Sequence, residues 1–402
     1  MRFLLLILLL LASALPARAE PIETFAEFIQ SFAAKARAAG VSDATYAAAM
    51  RGLTQDPKIP GLITGQPEFS TPIWDYMETR ITRDRIARGQ AAIERNRALF
   101  TAAGQRYGVD PYVLGAIWGI ETDFGAVLDN DALIKPIVRS LATLVHQRRG
   151  RLEADEAELL AALLMIERGP FTAETLVGSW AGAIGHLQVT PTVVLRYATD
   201  GDDDNMVNIH ASLADALATS AMFIRSMGYA PGVDWGFEVE LPAGFDYTLA
   251  SRDLVRPVSV FAGLGVTRVK GRPFANLDQS VFLYVPAGQN GPKFLMTPNY
   301  LVLKGYNFSD SYALTVAHLA DRLKGGGSFI AAWPRDTKFP NLEQRLAVQQ
   351  ALTRLGLYSG VIDGRLGPVS QAAYAKFQAS RGLVADGFIT LRSYEELTAA
   401  TR

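Results

Sequence analysis

From residue 20 to about 230, apolar residues recur three and four apart rather than alternately. Most of this chain must therefore build its core by packing helices on helices. The stretch IWGIETDFG, residues 117–125, shows the pattern and an anomaly in it. Leu114, Ile117, Trp118 and Glu121 fall at i, i+3, i+4 and i+7, which is one face of a helix, yet the fourth member of that face is a carboxylate. Asp110-Pro111 is a start signal, an N-cap followed by a first-turn proline, and Gly125 is a stop. Further helices are expected over 151–168, with Leu152, Leu159, Leu160, Leu163 and Ile166 facing inward, and over 212–227 and 311–323. Between 235 and 300 the character changes. FEVELP, SVFLYVP and PKFLMTP read as short strands, the last two flanking the turn AGQNG, so a small β insertion is expected in a mainly α (α+β) chain.

At 402 residues the chain has room for more than one domain. KGGGSFIAAWPRDTKFP, residues 324–340, reads as a linker or a loosely packed boundary, and the last sixty or so residues as a separate small unit. There, Leu342, Leu346, Leu352 and Leu355 suit one amphipathic helix, and Gly367-Pro368 opens another carrying Ala373 and Phe377. VIDGRLGPVS (361–370) and VADGFITLRS (384–393) share V-x-D-G and a later serine, an echo of two similar turns that each lead toward a helix.

At the N-terminus, Arg2, an apolar run from Phe3 to Leu15 and Ala17-Arg18-Ala19 make a secretory signal with cleavage after Ala19; an uncleaved anchor is the alternative. Cleavage removes two of the 39 basic residues and leaves a small excess of the 40 acidic ones, which offers nothing to nucleic acid or an anionic membrane. No other stretch approaches a transmembrane span. The absence of cysteine excludes disulfides, thiolate metal sites, cysteine nucleophiles and lipid attachment through an N-terminal cysteine. Such an exported chain is expected in the bacterial periplasm. The four histidines (146, 186, 210, 318) form no zinc-binding spacing.

Two readings of Glu121 stand. It pairs with a buried arginine, for which Arg139, Arg148 and Arg149 are available, or it is held protonated as a general acid. The negative end of its helix and its apolar neighbours both favour the neutral carboxyl. Moving a glutamate from ~4.3 to about 6 needs roughly 2.3 kcal/mol. GSWAGAIGHLQVTP, residues 178–191, is a second candidate element: its glycines let backbone approach a ligand, or simply make a tight turn between helices. Trp180 offers an apolar face to a sugar and Gln188 an amide to its hydroxyls.

In order, IWGIETDFG, RSLATL (139–144), GSWAGAIGHLQVTP, YATDGDDD (197–204) and NYLVLKGYN (299–307) resemble the lytic murein transglycosylases of the B type, which cut the glycan strands of peptidoglycan. QPEFSTPIWDY (66–76) fits that family's N-terminal region, and the similarity spans roughly residues 24 to 335. The resemblance implies a lysozyme-like helical catalytic domain with Glu121 as acid and base. It implies substrate contacts at Ser179, Trp180, Gln188, Tyr197, Phe223 and Tyr306, with no catalytic cofactor. His186 stands where the family has an aromatic or glutamine, Val189-Thr190 where it has Phe-Met, and Phe223 where it has a tyrosine. The implied reaction cleaves the bond between N-acetylmuramic acid and N-acetylglucosamine and closes a 1,6-anhydro ring. The alternatives are a lysozyme-like hydrolase drawing a second carboxylate from Asp123, Asp129 or Asp131, and a non-catalytic peptidoglycan-binding scaffold.

DGDDDNMVN, residues 200–208, places Asp200, Asp202, Asp204 and Asn208 at positions 1, 3, 5 and 9 of an EF-hand-like loop, with the Met206 carbonyl at 7. Position 6 is Asn205 rather than glycine, and Asp215 on the next helix could close the site. Structural Ca2+ and a solvated acidic turn are both open; the family's corresponding loop is also acidic. The C-terminal sequence resembles the small peptidoglycan-binding domain of cell-wall hydrolases, with Asp363, Gly364 and Arg365 as candidate contacts. The expected organisation is a signal (1–19), a catalytic domain (20–330, insertion about 235–300), a linker (331–340) and a three-helix wall-binding domain (341–402).

Overall fold

A computed structural model describes residues 23–63, 71–130, 132–147 and 152–401. The proposed signal, part of QPEFSTPIWDY, and Asp131, Arg148 and Arg149 lie outside these. The body is helical, and its centre is helix Asp310–Leu323, buried along nearly its whole length. A helix that is apolar on all sides needs neighbours on all sides. Helices Pro111–Thr122, Pro298–Asn307, Ile73–Arg80 and Arg83–Arg95 supply them. The expected helices form over Leu152–Arg168 and Leu213–Ser226. Leu159 and Leu163 face inward as read, whereas Leu152 is exposed, because the first turn overhangs the core.

The expected strands form within a five-stranded antiparallel sheet. Naming all strands in chain order gives β1 (Lys135–Pro136), β2 (Val177–Gly178), β3 (Gly236–Glu240), β4 (Arg256–Pro257), β5 (Thr267–Arg268), β6 (Ser280–Tyr284) and β7 (Lys293–Met296). The large sheet runs β4-β6-β7-β3-β5, and β1 pairs with β2 beside the candidate loop 178–191. The unbroken apolar runs of β6 and β7 have a structural reason. Phe282, Phe294 and Met296 join the core of the helical body, while Val281, Leu283 and Leu295 join Val239 and Phe261 in a separate core on the other face. A sheet covered on both sides buries both sets of alternating side chains.

Residues 324–340 form neither helix nor strand, but they are not loose. Phe329 meets Phe294 at 4.8 Å and His318 at 3.8 Å between ring centroids, and Trp333 and Phe339 both pack on Trp74. Glu238 of β3 accepts the backbone N–H groups of Ile330 and Ala331, each at 2.7 Å. The aromatic content of IAAWPRDTKFP, set among its glycines and prolines, makes it a packed strap.

The last residues form helices Leu342–Arg354, Pro368–Ser380 and Leu391–Ala400 around a third core of Val348, Leu352, Tyr374, Phe377 and Leu397. Leu352 is central to it, but Leu342 and Leu355 are exposed. The stripe is displaced because Gln349, wholly buried, takes an inward position for polar reasons. Among the described residues, no helix is long and apolar enough to cross a membrane.

Candidate active site

The helix bearing Glu121 starts as its sequence requires: Asp110 accepts the N–H of Tyr112 at 2.9 Å, with Pro111 in the first turn. It ends at Thr122, with Asp123 as its C-cap, short of the end that a stop at Gly125 would give. Asp123, Phe124 and Gly125 are successive left-handed residues, with φ of 51°, 60° and 88°. Non-glycine residues are held there only by strong surroundings. The Phe124 ring fills space left by two absent side chains: a Cβ on Gly89 would come within 2.4 Å of it, and one on Gly119 within 2.6 Å. Asp123 is gripped by Arg85 Nε at 3.1 Å and Arg88 Nη1 at 2.8 Å. Burial opposes its ionisation, but the two guanidinium groups prevail and hold the carboxyl below its usual range.

Glu121 is half-buried and Oε1 accepts a 2.6 Å hydrogen bond from the hydroxyl of Tyr312. Tyr312 lies in the first turn of the central helix and is 1% exposed. Burial, then the neighbouring Glu121, raises its pKa well above that of an ordinary phenol, so it remains a donor at any working pH. A neutral phenol can serve both states of the acid, donating to a carboxylate oxygen or to the carbonyl oxygen of the protonated group. The arginine reading is overturned for Arg139, whose guanidinium is spent on Thr54 and the carbonyl of Gln55.

From Tyr312 an aromatic row leads away. Tyr306 stacks on it at 6.4 Å and 5°, Phe223 follows at 5.6 Å, and Tyr197 at 5.7 Å. The Tyr306 hydroxyl donates to the Leu187 carbonyl at 2.7 Å, tying the row to the glycine-bearing loop. Three of the sequence-derived candidates thus form one surface with Glu121. Phe223 is a rung of it without needing a hydroxyl.

Loop 178–191 reaches the same place. Its glycines permit close approach to the protein's own backbone: a Cβ on Gly178 would lie 2.1 Å from Ala183 O, and one on Gly185 2.2 Å from Ile209 O. Ser179 accepts the N–H of Ala183 at 3.1 Å and closes the turn. Gln188 adopts φ 50° and donates from Nε2 to Gly185 O at 2.9 Å. Trp180 packs half-buried against the main core. His186 joins loop and helix, with Nδ1 accepting from Trp118 Nε1 at 3.1 Å and its carbonyl accepting from Thr122 Oγ1 at 2.7 Å. Burial, then His210, lowers its pKa to about 4, so the ring is neutral and carries its proton on Nε2. The contacts of Tyr312 and His186 with the Glu121 helix were not legible in the sequence, since each meets that helix only through tertiary packing.

The acidic loop curls as an oxygen-ligand loop requires. Carboxylate oxygens of Asp200, Asp202 and Asp204 lie within 4.8 Å of one another, and Asp200 Oδ1 is buried without a hydrogen-bond partner. Asn205 supplies the left-handed turn expected of glycine, at φ 69°. Against a burial penalty, backbone N–H groups of residues 202–205 keep the Asp200 carboxyl below its usual range. These residues fit a hard cation. Asp215 and Asn208 stand differently from the expected ligands. Buried Asp215 accepts the N–H groups of Gly201 and Asn208, and Asn208 Oδ1 caps His210 and Ala211. Both brace the loop.

Residues 24–321 match the family described as Transglycosylase SLT domain, and 341–394 the peptidoglycan binding domain family. The chain belongs to the SLT transglycosylase family. The transglycosylase is 28% identical over 270 residues to the membrane-bound lytic murein transglycosylase B of Escherichia coli, covering 66% of this chain and 71% of that one. A crystal structure of SltB3 from Pseudomonas aeruginosa with NAG-NAM-pentapeptide shares 37% identity and a TM-score of 0.86, covering 93% of this chain and all of that one. The Escherichia coli lytic transglycosylase Slt35, in complex with calcium, is 24% identical with a TM-score of 0.61 over 75% of this chain and 92% of that one, a likeness of fold. The transglycosylase is thus a B-type peptidoglycan lytic enzyme with a lysozyme-like helical domain and a C-terminal peptidoglycan-binding domain.

Proposed function

We propose that the transglycosylase uses Glu121 alone, first as acid and then as base, to convert the MurNAc–GlcNAc bond into a 1,6-anhydromuramic end. The carrying observation is the contrast between two neighbouring carboxyls: Glu121 takes a neutral donor from Tyr312, while Asp123 is committed to two arginines. A two-carboxylate hydrolase needs its second acid free. Protonated Glu121 gives its proton to the glycosidic oxygen as the bond to the anomeric carbon breaks. The neighbouring acetamido group shares the developing positive charge. Glu121, now ionised, takes the proton of the sugar's own 6-hydroxyl as that oxygen attacks the anomeric carbon, which restores the acid without consuming water. SltB3 has also been crystallised with NAG-anhNAM-pentapeptide, which supports this product class.

Sugar rings would lie along Tyr197, Phe223 and Tyr306, with Trp180, Ser179 and Gln188 of the loop opposite. Asp200, Asp202 and Asp204, with Met206 O, would hold a structural Ca2+ braced by Asn208 and Asp215. Residues 1–19 would export the chain to the periplasm, where the C-terminal domain holds it on the wall and raises local substrate concentration. Mass spectrometry of digested peptidoglycan tests the chemistry. Anhydromuramic ends, lost in Glu121→Gln, are expected; reducing muramic ends would show hydrolysis instead.

A further inference from the structure

The two V-x-D-G turns of the C-terminal domain are one structure built twice. In the first, Gln349 accepts the Gly364 N–H at 2.7 Å and donates to Asp363 Oδ1 at 3.1 Å, and Asp363 Oδ1 also accepts the Arg365 N–H at 2.8 Å. In the second, Gln378 accepts the Gly387 N–H at 2.8 Å and donates to Asp386 Oδ1 at 2.9 Å, and Asp386 Oδ1 accepts the Phe388 N–H at 3.1 Å. Gly364 and Gly387 have φ of 73° and 68°. Even the later serines match: Ser370 Oγ donates to Arg365 O at 3.4 Å and Ser393 Oγ to Phe388 O at 3.5 Å.

Their surroundings differ. The second turn is occupied by the chain's own β insertion. Asp386 Oδ2 accepts the backbone N–H of Gln289 at 3.0 Å, and a Cβ on Gly288 would lie 2.4 Å from that oxygen. Phe388 packs edge-on to Phe339 of the strap at 5.9 Å, and Val384 lines a cleft of about 450 Å³ against the insertion. The first turn faces solvent. Among the described residues Asp363 Oδ2 accepts no hydrogen bond, Val361 is 77% exposed and Val369 62%.

The occupied copy shows what this turn receives: a backbone amide N–H from the tight turn Gly288–Asn290, whose glycine lets the main chain come against the carboxylate oxygen, beside an apolar rim. We propose that the Asp363 turn is the wall-contact edge of the domain, and that its ligand is the amide-bearing stem peptide of peptidoglycan rather than the glycan. The second turn is then the anchor that fixes this edge relative to the catalytic body. This deepens the wall-binding reading above and rests on it. Stem peptides present consecutive backbone amide N–H donors, as the occupying turn does, whereas a glycan strand offers one acetamido N–H per ring set among hydroxyls.

Cosedimentation of the full chain with purified sacculi tests it, in a Glu121→Gln background with released fragments measured in the same tubes. Asp363→Asn keeps the oxygen that closes the turn and removes only the outward acceptor; Val361→Asp alters the rim at a position outside the core. Each is expected to weaken retention about tenfold, the cost of one charge-assisted hydrogen bond or of an apolar contact turned polar. Sacculi stripped of peptides by an amidase should retain the parent protein as poorly as the variants. Unchanged retention of both variants, or equal retention on stripped glycan, overturns the assignment while leaving wall binding intact. No retention of the parent protein overturns wall binding and the assignment together.

Discussion

Glu121 and Asp123 stand two residues apart at the end of one helix and face opposite electrostatic worlds. On one side, Glu121 meets the neutral phenol of Tyr312, which heads the aromatic row. On the other, Asp123 meets two guanidinium groups from helix Arg83–Arg95. A carboxyl that takes a neutral donor can gain and lose a proton; one between two cations stays ionised and becomes part of the scaffold. Chain adjacency did not decide which is which. At the left-handed step of Asp123 and Phe124 the second carboxyl is directed to Arg85 and Arg88 instead of Tyr312.

That contrast can be broken in steps. Glu121→Gln should lower turnover of peptidoglycan by about 10²–10⁴-fold, the usual share of a general acid–base group, while the melting temperature stays near that of the parent. Tyr312→Phe should cost about tenfold or more in kcat, since a hydrogen bond to a charged group is worth ~1.5–3 kcal/mol. It should also move the pH–rate profile to higher pH, because the ionised acid loses its donor. A drop in kcat without that displacement would assign Tyr312 to packing alone. Asp123→Asn should leave kcat largely intact and cost roughly 1 kcal/mol of stability, read as a lowered urea midpoint. Because the Asp123 carboxyl is held below its usual range, its stabilisation is complete above about pH 4 and is lost as pH falls through its folded value. A smaller effect is expected at His186. Its pKa of about 4 lies below that of a free imidazole, so the unfolded chain binds a proton the folded one refuses. Stability should fall as pH drops from ~6.5 toward 4, and His186→Gln should flatten that slope in urea melts.

The acidic loop sharpens the comparison from another side, as a group of carboxyls held by backbone N–H groups of Asn205 and Met206 and the hydroxyl of Ser212. Ca2+ should raise the melting temperature of the parent protein, and Asp200→Asn should abolish the rise without changing kcat.

The sequence by itself determined what repeats locally. Helical spacing marked the body, unbroken apolar runs marked β6 and β7, and Asp110-Pro111 marked where the Glu121 helix begins, because caps and periodicity act over a few residues. The two V-x-D-G segments were visible for the same reason. Tertiary structure alone decided who meets whom. Tyr312 reaches Glu121 from a distant helix, His186 reaches Trp118 across a loop, and Arg139 turns away to the Thr54–Gln55 backbone. It also decided that one Asp-Gly turn is taken by the β insertion while its twin faces solvent. Partners far apart in the chain are chosen by the packing of whole elements, and no local pattern encodes that choice.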